Sequence, residues 1–269
     1  MRLLLSLALP AALFAQDPIE IIRRSTELDS RNTEISRSYT FLERQEQREL
    51  DSSGKVKKTE STTFDVTLLE GSPYRRLIAR NDQSLSPKDQ RKEEEKLQKS
   101  IADRRKETPE QRERRVADWE NKKRKQREPL KELPDAFLFK LAGEESMNGG
   151  QAFVIEGAPK PGYRPKSAAT AFFPKVKLRL WIDKRDYQWV KIDIESLDTI
   201  SFGGFLLRLA KGTHVVIETA RVNNEVWMPK RAAIKGSVRI ALVKVLRGEI
   251  IFTFSDYKKL QTDSRVITQ

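Results

Sequence analysis

From Phe137 onward the chain is a succession of short runs in which apolar and polar residues alternate, separated by two-residue turns. A period of two marks a strand with one buried face, and consecutive strands joined by tight turns build an antiparallel meander. Phe137, Phe139 and Leu141 open the pattern. Asn148-Gly149 is the strongest hairpin signal, because a type I′ turn needs positive φ at both central positions. Gln151 to Gly157 is expected to pair back, followed by an irregular loop from Pro159 to Pro174. Val176, Leu178, Leu180 and Ile182 then fall on one face, with Lys177, Arg179 and Trp181 on the other. Val190/Ile192/Ile194, Val215/Ile217, Val238/Ile240/Leu242 and Ile250/Phe252/Phe254 repeat the rule, with Asn223-Asn224 and Arg247-Gly248 read as turns.

Upstream, Asp17-Pro18-Ile19-Glu20 combines an N-cap, a proline at the first helical position and a carboxylate at the third, all suited to the orphan N–H groups of a helix start. Ile21, Ser25, Leu28 and Ile35 give a narrow apolar stripe, and the helix is expected to end near Arg31-Asn32. Tyr39 to Leu50 reads as a strand, Asp51 to Gly54 as a turn, and Phe64, Val66 and Leu68 as one side of a returning strand. Gly71-Ser72-Pro73 is the next turn and Tyr74 to Arg80 the next strand.

Composition changes sharply from Pro87 to Lys131, which holds 17 Lys/Arg and 11 Asp/Glu. Ser86-Pro87 and Thr108-Pro109 are two further helix starts. Glu95/Lys99, Glu110/Arg114, Asp118/Lys122 and Glu120/Arg124 stand four apart in the favourable order, each pair worth about 0.2–0.5 kcal/mol on an exposed helix. Two charged helices inserted between strands are expected, docked through Leu97/Ile101 and Val116/Trp119.

Residues 1–15 (MRLLLSLALPAALFA) combine one basic residue, a short apolar run and a small residue where cleavage would fall. The run is too short to span a bilayer as a helix. A cleavable export signal is the expectation and an uncleaved anchor the alternative. There is no cysteine, so disulfides, thiol chemistry, Cys-based metal sites and a lipid-bearing lipoprotein cysteine are excluded. An exported protein of this kind must be held by its core, and residues 16–269 suffice for one mainly β domain. The formal charge is +13, of which Arg2 supplies one, leaving +12 outside the signal. For an exported chain the expected counterpart is anionic envelope material rather than nucleic acid. A merely solvated basic surface is the other reading.

Certain pieces recur in a recognisable order: the helix after the signal, the strand pair around Asp51–Gly54, and Phe139-Lys140-Leu141-Ala142-Gly143-Glu144. They continue with Leu180-Trp181-Ile182-Asp183-Lys184, Trp189-Val190-Lys191-Ile192, Val226-Trp227-Met228-Pro229 and Phe254-Ser255-Asp256-Tyr257. In this order the chain resembles the LolA/LolB-like superfamily of periplasmic lipoprotein carriers, over most of its length but not over 87–131. The resemblance implies an α+β, mainly antiparallel fold. Its core would be a strongly curved half-barrel sheet with helices over the concave face, holding acyl chains or other apolar ligands between them. The charged helical pair would be an addition to that plan. No individual binding residue is carried over.

No catalytic constellation is apparent. His214 is the one histidine, expected at a strand rim with no nucleophile at readable spacing. No His/Cys cluster exists for zinc. Gly149-Gly150 and Gly203-Gly204 are followed by no Gly-Lys-Ser/Thr, so they are read as a turn and as a bend or bulge. Asp183, Asp193 and Glu195 suit a solvated strand face. Trp181, Trp189 and Trp227 suit sheet packing, and Trp119 is expected to dock its helix, with membrane contact as the alternative.

The leading expectation is a periplasmic, monomeric, non-enzymatic carrier or chaperone for a lipid, lipoprotein or other apolar ligand, with no cofactor and no metal. Its candidate ligand rows are Val176, Leu178, Leu180, Val238, Ile240, Leu242 and Phe252. The second is an envelope interaction protein whose insert uses Lys122, Lys123, Arg124, Lys125 and Arg127 to bind an anionic membrane surface or a protein partner. A carboxylate-dependent hydrolase is the third.

Overall fold

A computed structural model describes residues 16–202, 207–240 and 244–260. The expected signal, Leu242 and the Gly203-Gly204 pair lie outside these residues.

Helix α1 (Pro18–Ser36) starts where expected: the Asp17 carboxylate accepts from the Ile19 N–H at 2.9 Å, with Pro18 in the first turn. It does not stop at Arg31-Asn32. Asn32 lies within the helix and docks it onto the sheet, donating to the Trp227 carbonyl (2.8 Å) and accepting from the Trp227 N–H (2.7 Å). A residue that terminates isolated helices here satisfies strand backbone instead.

The strands follow as β1 (Tyr39–Leu50), β2 (Val56–Leu69), β3 (Ser72–Arg80) and the short β4 (Gln83–Ser84). Then come α2 (Pro87–Arg105), α3 (Pro109–Arg127) and a short α4 (Leu133–Ala136). The remaining strands are β5 (Phe137–Met147), β6 (Gly150–Pro159), β7 (Val176–Asp183), β8 (Trp189–Ser196), β9 (Ile200–Phe202), β10 (Leu207–Leu209), β11 (His214–Val222), β12 (Val226–Ile240) and β13 (Lys244–Lys259).

All pair antiparallel in one sheet of order β4-β3-β2-β1-β13-β12-β11-β8-β7-β6-β5, with β10 and β9 branching from β12. β1 therefore joins β13 and links the two halves of the chain. The outer strands β4 and β5 do not pair with each other, so the sheet is an open, curved half-barrel. Register shifts place extra residues in β13, β3, β5, β8 and β12, which bend those strands and raise their twist.

The Asn148-Gly149 turn has φ values of 50° and 77°, and Asn223-Asn224 has 50° and 55°, as type I′ geometry requires. Arg247-Gly248 is not a turn. Both residues lie within β13, where Gly248 faces Glu49 and Gly236. A Cβ on Gly248 would stand 2.5 Å from the Arg48 carbonyl oxygen. This glycine answers a close strand approach, a use the sequence does not distinguish from a turn.

The main core lies on the concave face. Ile21 and Ile22 of α1 meet Phe137, Phe153, Ile155, Val176, Leu178, Leu180, Ile182 and Trp189 there. Each fully buried aliphatic side chain of this kind contributes about 1.5–3 kcal/mol. A smaller cluster of Val154, Trp181, Val190 and Trp227 covers part of the opposite face. Val190 belongs to this second cluster and not with Ile192 and Ile194. The register shift that pairs Trp181 with Lys191 and Ile182 with Trp189 leaves Val190 over and turns it to the other side.

Helices α2 and α3 begin at Ser86 and Thr108, the latter in a full capping box. Ile101 is buried and Leu97, Val116 and Trp119 are half-buried. The four expected i,i+4 ion pairs are not among those formed by the described residues. Charges reach off the helices instead: Glu120 to Arg37, the C-cap of α1 (3.0 Å), and Arg127 to Asp29 of α1 (2.6 Å). Arg104 donates to the carbonyls of Ser72 (2.9 Å) and Pro73 (3.3 Å), and Arg115 to the Ser72 hydroxyl (2.6 Å) and the Glu70 carbonyl (2.9 Å). The pair is thus hung from the β2–β3 turn at one end and tied to α1 at the other. No described helix is long and apolar enough to cross a membrane.

Candidate functional site: a cleft beneath the inserted helix

Where α3 bridges from the β2–β3 turn to α1, it roofs a cleft of about 420 Å³ over the β1–β3 end of the sheet. That volume falls in the range of small-molecule sites, roughly 300–1,000 Å³. Tyr39 and Phe41 of β1, Val66 and Leu68 of β2, and Pro73 of β3 form its apolar floor, and Trp119 of α3 its roof. Alternate residues of a strand share a face, which places each of these floor pairs on one side. The sequence of α3 is polar on nearly every side, so Val116 and Trp119 supply its grip. Val116 packs at Gly71, where an added Cβ would lie 3.1 Å from the Val116 methyl.

Arg37, Arg75, Lys123 and Arg127 ring the cleft against a single lining carboxylate, Glu43. Arg75 donates to Glu43 at 2.6 Å and lies 4.1 Å over the Phe64 ring. Arg37 and Arg127 are held by Glu120 and Asp29. Burial pushes the Asp29 carboxyl above its ordinary range, against the opposing pull of Arg127. Lys123 has no hydrogen bond or ion pair among the described residues. Its amine is held below the usual lysine range, first by desolvation and then by the neighbouring Arg127, with Glu43 acting the other way. The residue as a whole is exposed, so this is a cation at the open mouth of the cleft, in contact with water.

A second, more polar groove of about 380 Å³ runs between α1 and α3 on the outer side. It shares Thr33, Arg37, Lys123 and Arg127 with the apolar cleft. These four residues therefore stand at the junction of an apolar space and a polar one.

The residues singled out in the sequence disperse. Val176, Leu178 and Leu180 sit in the main core beneath α1. Val238 lines a separate groove of about 370 Å³ with Ile234 and Ile250. Phe252 is half-buried on β13, opposite Gln45 and Ala232. Ile240 pairs through its backbone with Leu207 and Lys244. On α3, Lys122, Lys123, Arg124 and Lys125 are exposed and Arg127 is half-buried; Lys123 and Arg127 also line the cleft. His214 is exposed, 3.7 Å from Asp193 and 3.8 Å from Glu195. Among the described residues no group of His, Cys, Asp and Glu is placed to hold a metal ion. The floor residues Tyr39, Phe41, Val66 and Leu68 carry only a strand signal in the sequence; that α3 lies over them is a tertiary fact.

No family model matches the chain, and no curated protein does. Solved structures do. A domain assigned as an outer membrane lipoprotein-sorting protein from Vibrio parahaemolyticus is similar at 11% identity, over 91% of this chain and 95% of that one, with a TM-score of 0.35. The LolA superfamily protein NE2245 from Nitrosomonas europaea is similar at 10% identity, over 93% and 96%, with a TM-score of 0.30. The MucA/MucB complex from Pseudomonas aeruginosa gives 9%, over 90% and 99%, with a TM-score of 0.25. The first two bear names of the group that the sequence resembles. At scores this low, no residue role passes from them to this chain.

Proposed function

We propose that the protein is a periplasmic carrier or chaperone that shelters a single apolar chain, such as the acyl chain of a lipid or lipoprotein, beneath α3. The observation that supports this reading is the cleft itself: an apolar floor and a tryptophan roof enclosing a space that no side chain of the described residues fills. The sheet supplies the floor and the insert the roof, so both are needed for binding. Native mass spectrometry of protein purified without detergent, followed by uptake of a fluorescent fatty acid, tests it. Leu68→Arg, in a variant that keeps its folded circular dichroism, is expected to abolish uptake. Retained uptake in that variant counts against the cleft. Leu178→Arg is a poor probe, because it places a charge in the main core.

A second reading is an envelope interaction protein. It draws on the exposed Lys122, Arg124 and Lys125, which leave a cationic strip on α3 free to meet an anionic membrane surface or a protein partner. Binding through that strip would weaken steeply with salt.

A further inference from the structure

We propose that the chain held in the cleft belongs to an amphiphile with one anionic headgroup, a carboxylate or a phosphate monoester, seated at Lys123. The inference rests on the carrier reading and adds the chemistry of the ligand's polar end.

Of the four cations around the cleft, three already have carboxylate partners: Arg37 with Glu120, Arg75 with Glu43, and Arg127 with Asp29. Lys123 is the remaining one: it lines both the cleft and the outer groove, is exposed to solvent, and has Arg127 as a like-charged neighbour. A bound anion at this point gains a charge-assisted hydrogen bond and offsets the repulsion between the two cations. Its position fits the task. Lys123 stands where the apolar cleft opens into the polar outer groove, so a tail lying over Phe41, Val66 and Leu68 would leave its head at the ammonium. A neutral amphiphile of the same length would fill the floor equally well and leave Lys123 unpaired. The site therefore discriminates on charge at one end and on length at the other.

On the cleft side the groups around Lys123 are Arg127 on its own helix, Arg37 at the C-cap of α1, Glu43 on β1 and Arg75 on β3. Glu43 is the carboxylate of the cleft that could compete, and Arg75 occupies it at 2.6 Å. On the outer-groove side stand Asp29 and Glu120, held by Arg127 and Arg37, together with Glu34, Glu128, Arg124 and Lys131.

Calorimetric titration of the full chain with dodecanoic acid, dodecyl phosphate and the neutral glycerol monoester of the same acid, each kept monomeric, tests the proposal. Both anions, or one of them, should bind about tenfold tighter than the monoester, the margin of one charge-assisted hydrogen bond. Lys123→Met should erase that margin while the monoester binds as before, and Lys123→Arg should keep it. A preference shown by only one anion names the headgroup. Equal affinities in the unmodified protein, or a margin that survives Lys123→Met, overturn the headgroup assignment and leave the carrier reading standing. Binding of none of the three removes both.

Discussion

At the residue scale, the clearest pH-sensitive feature lies away from the cleft, in the turn after β7. Asp186 accepts from the Trp227 indole N–H at 2.8 Å, and its other carboxylate oxygen is buried without a partner. Burial first, and then the nearby Asp183, raise its pKa above 3.8, despite the Trp227 bond and Arg221 acting the other way. The folded state thus holds this proton more tightly than the unfolded chain does. The resulting penalty is absent below 3.8 and grows as pH rises through the raised value. Asp186→Asn should leave stability nearly unchanged in acid and raise it at neutral pH, measured as the urea midpoint at both. An equal shift at both pH values would locate the effect elsewhere. Single residues also mark where the sequence could not be read: Asn32 is a residue type that suits a helix end and Gly248 one that suits a turn, and the tertiary neighbours Trp227 and Arg48 decide otherwise.

At the scale of elements, the capping chemistry of Asp17, Ser86 and Thr108 and the two type I′ turns were legible, because each depends on residues close in sequence. The helix ion pairs were not. Of their members Glu120 pairs off the helix, with Arg37, and Arg124 donates to Asn121 on its own helix; an exposed pair four residues apart contributes too little to fix long side chains in one geometry. Two expectations belong here. Gly248→Ala should cost about 2 kcal/mol or more, typical of overpacking, because the Arg48 carbonyl cannot swing aside as a side chain would. Thermal melting or urea unfolding checks it, and a neutral result would mean that β1 and β13 are less closely apposed. Trp119→Ala should cost about 1–2 kcal/mol, less than a core tryptophan because the residue is only half-buried. It should also open the Lys/Arg-rich α3 to trypsin before the sheet is cut.

For the whole molecule, alternation and turns sufficed to foresee an antiparallel meander, and the resemblance to the LolA/LolB-like group added the open half-barrel with helices over its concave face. They did not foresee where the cleft lies. Of the rows expected to hold ligand, Val176/Leu178/Leu180 is taken up by the core beneath α1, and Val238 lines a separate groove. The cleft formed at the other end of the sheet, from residues of β1 and β2 that look ordinary until α3 covers them. Replacing residues 88–131 by a short linker should leave the sheet's circular dichroism recognisable and abolish fatty-acid uptake. Undiminished uptake would show that the floor suffices without its roof.

The way α3 is fastened has a consequence for timing. At the β2–β3 turn it is held by Arg115, which donates to the Glu70 carbonyl and the Ser72 hydroxyl, and by Val116, while Arg104 of the adjoining α2 bonds the Ser72 and Pro73 carbonyls. At the α1 end, the ion pairs Arg37–Glu120 and Arg127–Asp29 include side chains roughly 40% and 37% exposed. The Arg37–Glu120 pair, exposed on both sides, contributes about 0–1 kcal/mol and weakens with salt, whereas the buried Asp29 carboxylate screens Arg127–Asp29 from salt in part. The α1 end would therefore release first, with the turn as a pivot, and ligand residence time would be set by a brief unlatching rather than by loss of the apolar contacts. Stopped-flow release of a neutral fluorescent chain should accelerate with ionic strength while its equilibrium affinity changes little. Passage to a highly charged acceptor surface would then itself shorten the dwell of the cargo.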